Sequence, residues 1–183
     1  MLWQSLQDYL NRQMKIRLAE LQDLSSIMEI IGHAQQFLAE QNIDQWQDGY
    51  PPKEWVITDI TEKECFVVEN SKNQIIATTV FITRNEPNYN IIRGNWLTGN
   101  DAKYGVVHRL AIHKDFRRLG IANFLMVEFE KQLKKKEFNS MRIDTHKDNT
   151  GMQRLLKKMG YVYCGVIYLE SGDERLAFEK VLG

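Results

Sequence analysis

Two cysteines and three prolines are all that 183 residues hold of either type. Cys65 and Cys164 can form one bridge at most, so no disulfide framework organises the chain, and this usage suits a reduced, cytoplasmic setting. The four histidines are scattered and no Cys or His cluster has zinc spacing, so no metal site is expected. No apolar run reaches the 18 residues or so of a membrane-spanning helix. The N-terminus lacks the basic region and apolar run of a secretory signal. Neither sign of charge dominates: 24 acidic residues balance 24 basic ones. No whole-molecule field then draws the chain to nucleic acid or to an anionic membrane, and neither is expected as a partner. Internal repeats and low-complexity segments are also missing.

What is present is the composition of an ordinary folded domain, 43% hydrophobic and 26% charged. The chain is long enough for a substantial core. Its most informative stretch runs from Gly105 to Ala122. Val106 to Ile112 is apolar except at His108 and Arg109, the pattern of a central strand buried on both faces. A polar turn follows at Lys114-Asp115, then Phe116, then Arg117-x-x-Gly120-x-Ala122, and then a strong helical period. A strand, a small-residue loop and a helix start in that order suit an anion. The first amides of a helix lack intrahelical acceptors and carry the positive end of its dipole. Gly120 and Ala122 keep bulk away, while Arg117 and Arg118 add charge and donors. The bland alternative is a tight turn with two solvated arginines. The two standard nucleotide-phosphate motifs, Gly-x-x-x-x-Gly-Lys-Ser/Thr and Gly-x-Gly-x-x-Gly, are absent.

Leu110-Ala111-Ile112 followed by Arg117-x-x-Gly120-x-Ala122 resembles the acetyl-CoA signature of the GNAT superfamily of N-acetyltransferases, bacterial small-molecule type. Met141 to Thr145 resembles that family's next strand. Asn149 followed by Gly160-Tyr161 resembles its second conserved block. The resemblance is sharp over 105–165 and looser on either side. It implies a single-domain α/β fold over residues 14–183, a mixed and largely antiparallel sheet with a central parallel pair and helices on both faces, preceded by an extension over 1–13. It implies acetyl-CoA as cosubstrate, held by Leu110, Ala111, Ile112, Arg117, Arg118, Leu119, Gly120, Ile121, Ala122, Asn149 and Met152. The activity it implies is direct transfer of an acetyl group to a primary amine. The alternatives are a catalytically silent acyl-CoA-binding module, or an enzyme acting on a protein amino group.

Reading outward from the loop, Ile16 and Leu18 alternate as in a first strand. A helix is expected over about 22–41, capped by Asp23 or Ser25, with Leu24, Ile27, Met28, Ile31, Ala34 and Leu38 on its buried face. Pro51-Pro52 opens a second short helix to about Ile60. Cys65–Glu69 and Ile75–Thr83 read as a hairpin across Asn70-Ser71-Lys72-Asn73. Residues 84–103 read as the longest irregular stretch. A helix follows from about Gly120 to Lys136, with Ile121, Leu125, Phe129 and Leu133 inward. A strand at Ser140–His146, a helix capped by Asn149 and stopped at Gly160, and a closing hairpin complete the chain.

The chemistry calls for a base, because a lysine-type amine with a pKa of about 10.4 is protonated at pH 7. His108 is the candidate, two residues before Leu110; the competing reading is a core histidine bonded to backbone or carboxylate. Arg109 is expected in an ion pair with Asp144 or a glutamate. In many family members a tyrosine serving as general acid lies seven residues after the asparagine. Leu156 stands there in this chain, with Tyr161, Tyr163 and Tyr168 nearby. Trp46, Tyr50 and Trp96 are candidate acceptor contacts, Trp96 equally a packing plug. The acceptor is expected to be a small amine, and the protein a monomer or homodimer.

Overall fold

The computed structural model of the chain describes residues 13–99 and 101–183. Among them are eight strands: β1 (Lys15–Leu18), β2 (Cys65–Glu69), β3 (Ile75–Ile82), β4 (Ile92–Gly94), β5 (Tyr104–Ile112), β6 (Ser140–Thr145), β7 (Val162–Tyr168) and β8 (Glu174–Val181). Four α-helices accompany them: α1 (Leu24–Ala39), α2 (Lys53–Thr61), α3 (Ile121–Lys135) and α4 (Thr150–Lys158). The strand order is β1-β2-β3-β5-β6-β8-β7-β4. β5 and β6 run parallel, while β1–β2, β2–β3, β4–β7, β6–β8 and β7–β8 are antiparallel. This is the mixed α/β sheet with one parallel pair that the sequence predicts. Of the expected N-terminal extension over 1–13, all but residue 13 lies outside the described residues.

The chain divides into two compact units. The first is the chain up to Val80 together with Arg109–Met126; the second is Phe81–His108 with Val127–Gly183. β5 and α3 each run through both.

In the first unit, α1 turns Ile27 and Ile31 onto Ala19, Val56, Ile60, Cys65 and Val67. Each such isoleucine contributes about 1.5–3 kcal/mol of transfer free energy. The capping of α1 differs from expectation. Its N-terminus follows a 3₁₀ turn at Leu21–Asp23, and Asp23 makes no side-chain bond to the helix. The Asp23 carboxylate instead accepts from the Arg17 guanidinium at 2.6 Å and from the Glu20 amide. A charge-assisted bidentate pair outcompetes a single helix amide. α2 starts behind Pro52, as the proline pair predicts. The β2–β3 turn is closed by Asn70, whose Oδ1 accepts from the Lys72 and Gln74 amides.

In the second unit, residues 84–103 are less irregular than the sequence suggests. Glu86 caps a 3₁₀ turn at Pro87–Tyr89, and β4 pairs with β7. Gly94 and Gly165 face each other there. A Cβ on Gly94 would stand 2.1 Å from the Cys164 carbonyl oxygen, and one on Gly165 would stand 2.3 Å from that of Arg93. Backbone approach this close requires glycine on both strands. Phe81 stacks on Phe129 of α3 with ring centroids 4.2 Å apart. Asn149 caps α4, its Oδ1 accepting from the Met152 amide, and Gly160 ends it in the left-handed region. On α4 Leu156 is fully buried, while Met152 and Leu155, and Met159 just after it, are half-buried.

Below these elements lies a charged interior. Arg142 donates to Glu179 at 2.9 Å, and both side chains are inaccessible to solvent or nearly so. Ser140, Thr98 and the Leu97 amide donate to the same carboxylate. The Arg142 guanidinium lies between the rings of Trp96 and Tyr104, 4.4 and 4.0 Å from their centroids.

Candidate active site

The loop between β5 and α3 belongs to the first unit. β5 ends at Ile112, and His113 opens a 3₁₀ turn at Lys114–Phe116, its Nδ1 accepting from the Asp115 amide. Arg117 is extended, while Arg118 and Gly120 adopt left-handed φ values of 65° and 78°. The first intrahelical bond of α3 runs from the Phe124 amide to the Gly120 carbonyl. The amides of Ile121, Ala122 and Asn123 precede it and have no carbonyl within the helix to bond. Turned amides ahead of a helix N-terminus form an anion-binding concavity.

The two arginines of this loop differ. Arg118 is exposed. Arg117 reaches back to α1, where it donates to the His33 carbonyl oxygen at 2.5 Å and lies 4.3 Å over the Phe37 ring. Its side chain therefore fastens the loop, and an anion would meet the loop's backbone and Arg118. Upstream, Arg109 takes a left-handed φ of 50° inside β5. Its guanidinium donates to Asp59 at 2.6 Å and to the Tyr50 hydroxyl at 3.2 Å. The expected ion pair exists, but its carboxylate is Asp59 of α2, a partner invisible in sequence because it lies 50 positions away. Tyr50 stands within an aromatic group, 6.3 Å from Trp46 and 5.7 Å from Trp55 between ring centroids.

His108 belongs to the second unit, with a quarter or less of its side chain exposed. Its Nε2 lies 2.9 Å from Glu86 Oε2, and its Nδ1 lies 3.9 Å from Asp144 Oδ2. The Tyr89 hydroxyl donates to that same Asp144 oxygen at 2.8 Å. Burial alone would raise the Glu86 pKa. Bonds from His108 and Asn88, with the histidine's charge, outweigh it and hold the carboxyl below its ordinary value. Burial, and then the charge and hydrogen bond of Asp144, push the Tyr89 hydroxyl well above the usual tyrosine range, so it stays a donor. An ionised Glu86 only accepts, so neutral His108 carries its proton on Nε2 and its basic lone pair on Nδ1. A histidine held this way by a carboxylate has the form of an oriented proton acceptor. The sequence singles out His108 but gives no sign of its contacts with Glu86 and Asp144 or of the Tyr89–Asp144 bond.

The remaining candidates divide as follows. Trp46, Tyr50, Leu110–Ile112 and Arg117–Ala122 are in the first unit. Trp96, Asn149 and Met152 share the second with His108. Trp96 donates from its indole nitrogen to the Tyr89 carbonyl, and its face covers Arg142. Leu156 is completely buried. The Tyr161 hydroxyl donates to Glu130 in the interior, while Tyr163 and Tyr168 are exposed. His146 accepts from the Asp148 amide and braces the turn into α4. Burial pushes the Cys164 thiol up, which suits a packed residue better than a nucleophile.

No curated protein matches the chain significantly. Solved structures do. A GNAT-family acetyltransferase from Streptococcus agalactiae is 34% identical, with 92% of this chain and 95% of that one covered at a TM-score of 0.81. One from Listeria monocytogenes is 16% identical over 92% and 95%, with a TM-score of 0.73. A Salmonella typhimurium protein solved with its cofactor acetyl-CoA is 14% identical over 93% and 95%, with a TM-score of 0.64. At that identity the last two show the fold alone. The model of the acetyltransferase (GNAT) family matches residues 31–161. With a 34% identical relative over nearly its whole length and the family match over most of it, this chain belongs to the GNAT acetyltransferase family.

Proposed function

We propose that the protein transfers the acetyl group of acetyl-CoA directly to the primary amine of a small molecule, within a ternary complex. The observation that carries this reading is His108, fixed by the ionised Glu86 at 2.9 Å with Asp144 on its other nitrogen. In this reading the CoA pyrophosphate lies on the amides of 117–122, with the exposed Arg118 as counter-charge. The amides and carbonyls of Leu110–Ile112 pair with the pantetheine arm and polarise the thioester carbonyl. The same strand carries His108, two residues before Leu110. Asn149 and Met152 at the start of α4 complete the CoA-binding set. Residues 14–183 constitute the catalytic domain.

The step balances simply. His108 Nδ1 takes a proton from the ammonium form of the acceptor. The freed nitrogen pair attacks the thioester carbon, the C–N bond forms and the C–S bond breaks, and the second proton that the nitrogen loses passes through water to the departing sulfur, so that CoA leaves as the thiol. A thiol with a pKa of about 8.5 leaves without much help, so a chain with Leu156 in place of a tyrosine still turns over. Trp46, Tyr50 and Trp96 supply apolar surface to the acceptor, which favours its neutral form by desolvation.

The test is thiol release from acetyl-CoA with a panel of primary amines, the acetylated product identified by mass. Acetyl-amine formation with intersecting initial-rate lines is expected. CoA binding without transfer to any amine would make the chain a silent acyl-CoA module, and parallel lines would replace direct transfer by a covalent intermediate.

A further inference from the structure

We infer that Glu29, His33 and His113 form a binding site for one zinc-class divalent ion. Glu29 and His33 are four residues apart on α1 and so occupy one face of it. His113 follows β5, where its amide donates to the Ile76 carbonyl at 2.9 Å and fixes its place. One donor atom from each of the three residues falls within 4.8 Å of the others. The two imidazoles meet edge to face with centroids 4.6 Å apart, and His113 Nε2 stands 3.9 Å from Glu29 Oε1.

The second observation is His33 Nδ1. It is buried and has no hydrogen-bond partner. Buried polar nitrogens are nearly always satisfied, and a metal satisfies an imidazole lone pair as well as a proton donor does. Two imidazoles and a carboxylate are the donor set of three-ligand zinc sites that keep a fourth position open. They also select against magnesium, which prefers oxygen donors. Donors about 2 Å from a tetrahedral ion stand about 3.3 Å apart, so the three must close slightly. Glu29 can do this, because 63% of its side chain is exposed and free to swing.

His113 needs one adjustment. Its Nδ1 now accepts from the Asp115 amide at a long 3.3 Å. With a metal on Nε2, the proton moves to Nδ1, and the Asp115 carboxylate oxygen, 3.8 Å away, accepts it. A carboxylate behind a ligating histidine is the usual outer support of such sites. The ion would tie α1 to the segment leading into 117–122, where Arg117 already bonds the His33 carbonyl. This site is independent of the acyl-transfer reading.

The experiment uses the full chain stripped with EDTA and dialysed. Calorimetric titration with ZnCl₂ should show one ion per chain, and CoCl₂ should give visible absorption of a low-coordinate nitrogen-ligated cobalt. MgCl₂ should give no saturable heat. His33→Ala and His113→Ala should each weaken zinc binding at least tenfold, and Glu29→Gln by about tenfold. Glu29 is exposed, so its variant folds and decides the matter if an imidazole variant does not. Absence of saturable zinc uptake, or uptake that Glu29→Gln and the folded histidine variants leave unchanged, overturns the site.

Discussion

At His108 the strand supplies position and a distant residue, Glu86, supplies the hydrogen-bond partner. The apolar run around it makes β5 a buried strand, so its one imidazole is noticeable in sequence. Its orienting carboxylate, Glu86, lies 22 residues earlier in a segment rich in turn formers and carries no periodic signal. If His108 is the base, kcat/KM rises with pH through one ionisation of the free enzyme. His108→Ala should lower kcat/KM about 10²-fold or more and remove that inflection. A near-native rate with an unchanged profile would pass the role to water or to Glu86. The pair Arg142–Glu179 permits a second prediction. Burial would raise the Glu179 pKa, but bonds from Ser140, Thr98 and Arg142 outweigh it and leave the carboxyl below its ordinary value. A depressed folded pKa stabilises the protein fully above the unfolded value of about 4.3, and this stability is lost as pH falls through the folded value. Arg142→Met leaves that buried carboxylate without its cation and should cost about 3–5 kcal/mol at pH 7. Urea unfolding should show the gap narrowing at acid pH, where Glu179 is protonated in both proteins; a gap that ignores pH would reject this account.

At the scale of elements, what repeats in sequence was legible and what depends on one contact was not. α3 is set by Ile121, Leu125, Phe129 and Leu133, all buried at four-residue spacing, and the reading placed it to within a residue at each end. α4 was legible from its ends, since Asn149 and Gly160 act locally. β4 was not. It has three residues, one of them Gly94, and it exists because Gly165 allows its backbone near. At α1 the expected N-cap position is right but its bond is not: Asp23 stands at the N-cap, and Arg17 on β1 claims its carboxylate. The loop 117–122 was legible in its motif but not in the division of labour between its arginines, because Phe37 and the His33 carbonyl are far away in sequence. Gly120 tests that loop. At a φ of 78° a side chain is strained, and glutamate would add negative charge to the proposed anion site. Gly120→Glu should abolish CoA binding in calorimetry while far-UV circular dichroism stays native. Unchanged CoA affinity would remove the pyrophosphate from these amides.

For the molecule as a whole, the balance of charge bears on what it acetylates. With 24 acidic and 24 basic residues dispersed along the chain, no single-signed field exists to gather a polycationic protein tail. The aromatic group Trp46, Tyr50 and Trp55 is instead organised through Tyr50, whose hydroxyl accepts from Arg109 and so holds one ring edge-on to Trp55. Rings fixed by a buried ion pair make a stiff apolar surface, which suits a compact amine more than a long flexible peptide. The acceptor screen should therefore favour small amines over lysine-rich peptides in kcat/KM. That preference should change little between low and physiological salt, because little of the encounter is electrostatic. Trp46→Ala should raise KM for the acceptor with little change in kcat, the mark of lost uniform binding. A best substrate that is a long basic peptide, with kcat/KM falling steeply as salt rises, would reverse the assignment. A Trp46→Ala variant altered in stability but not in acceptor KM would show that these rings only fill the fold.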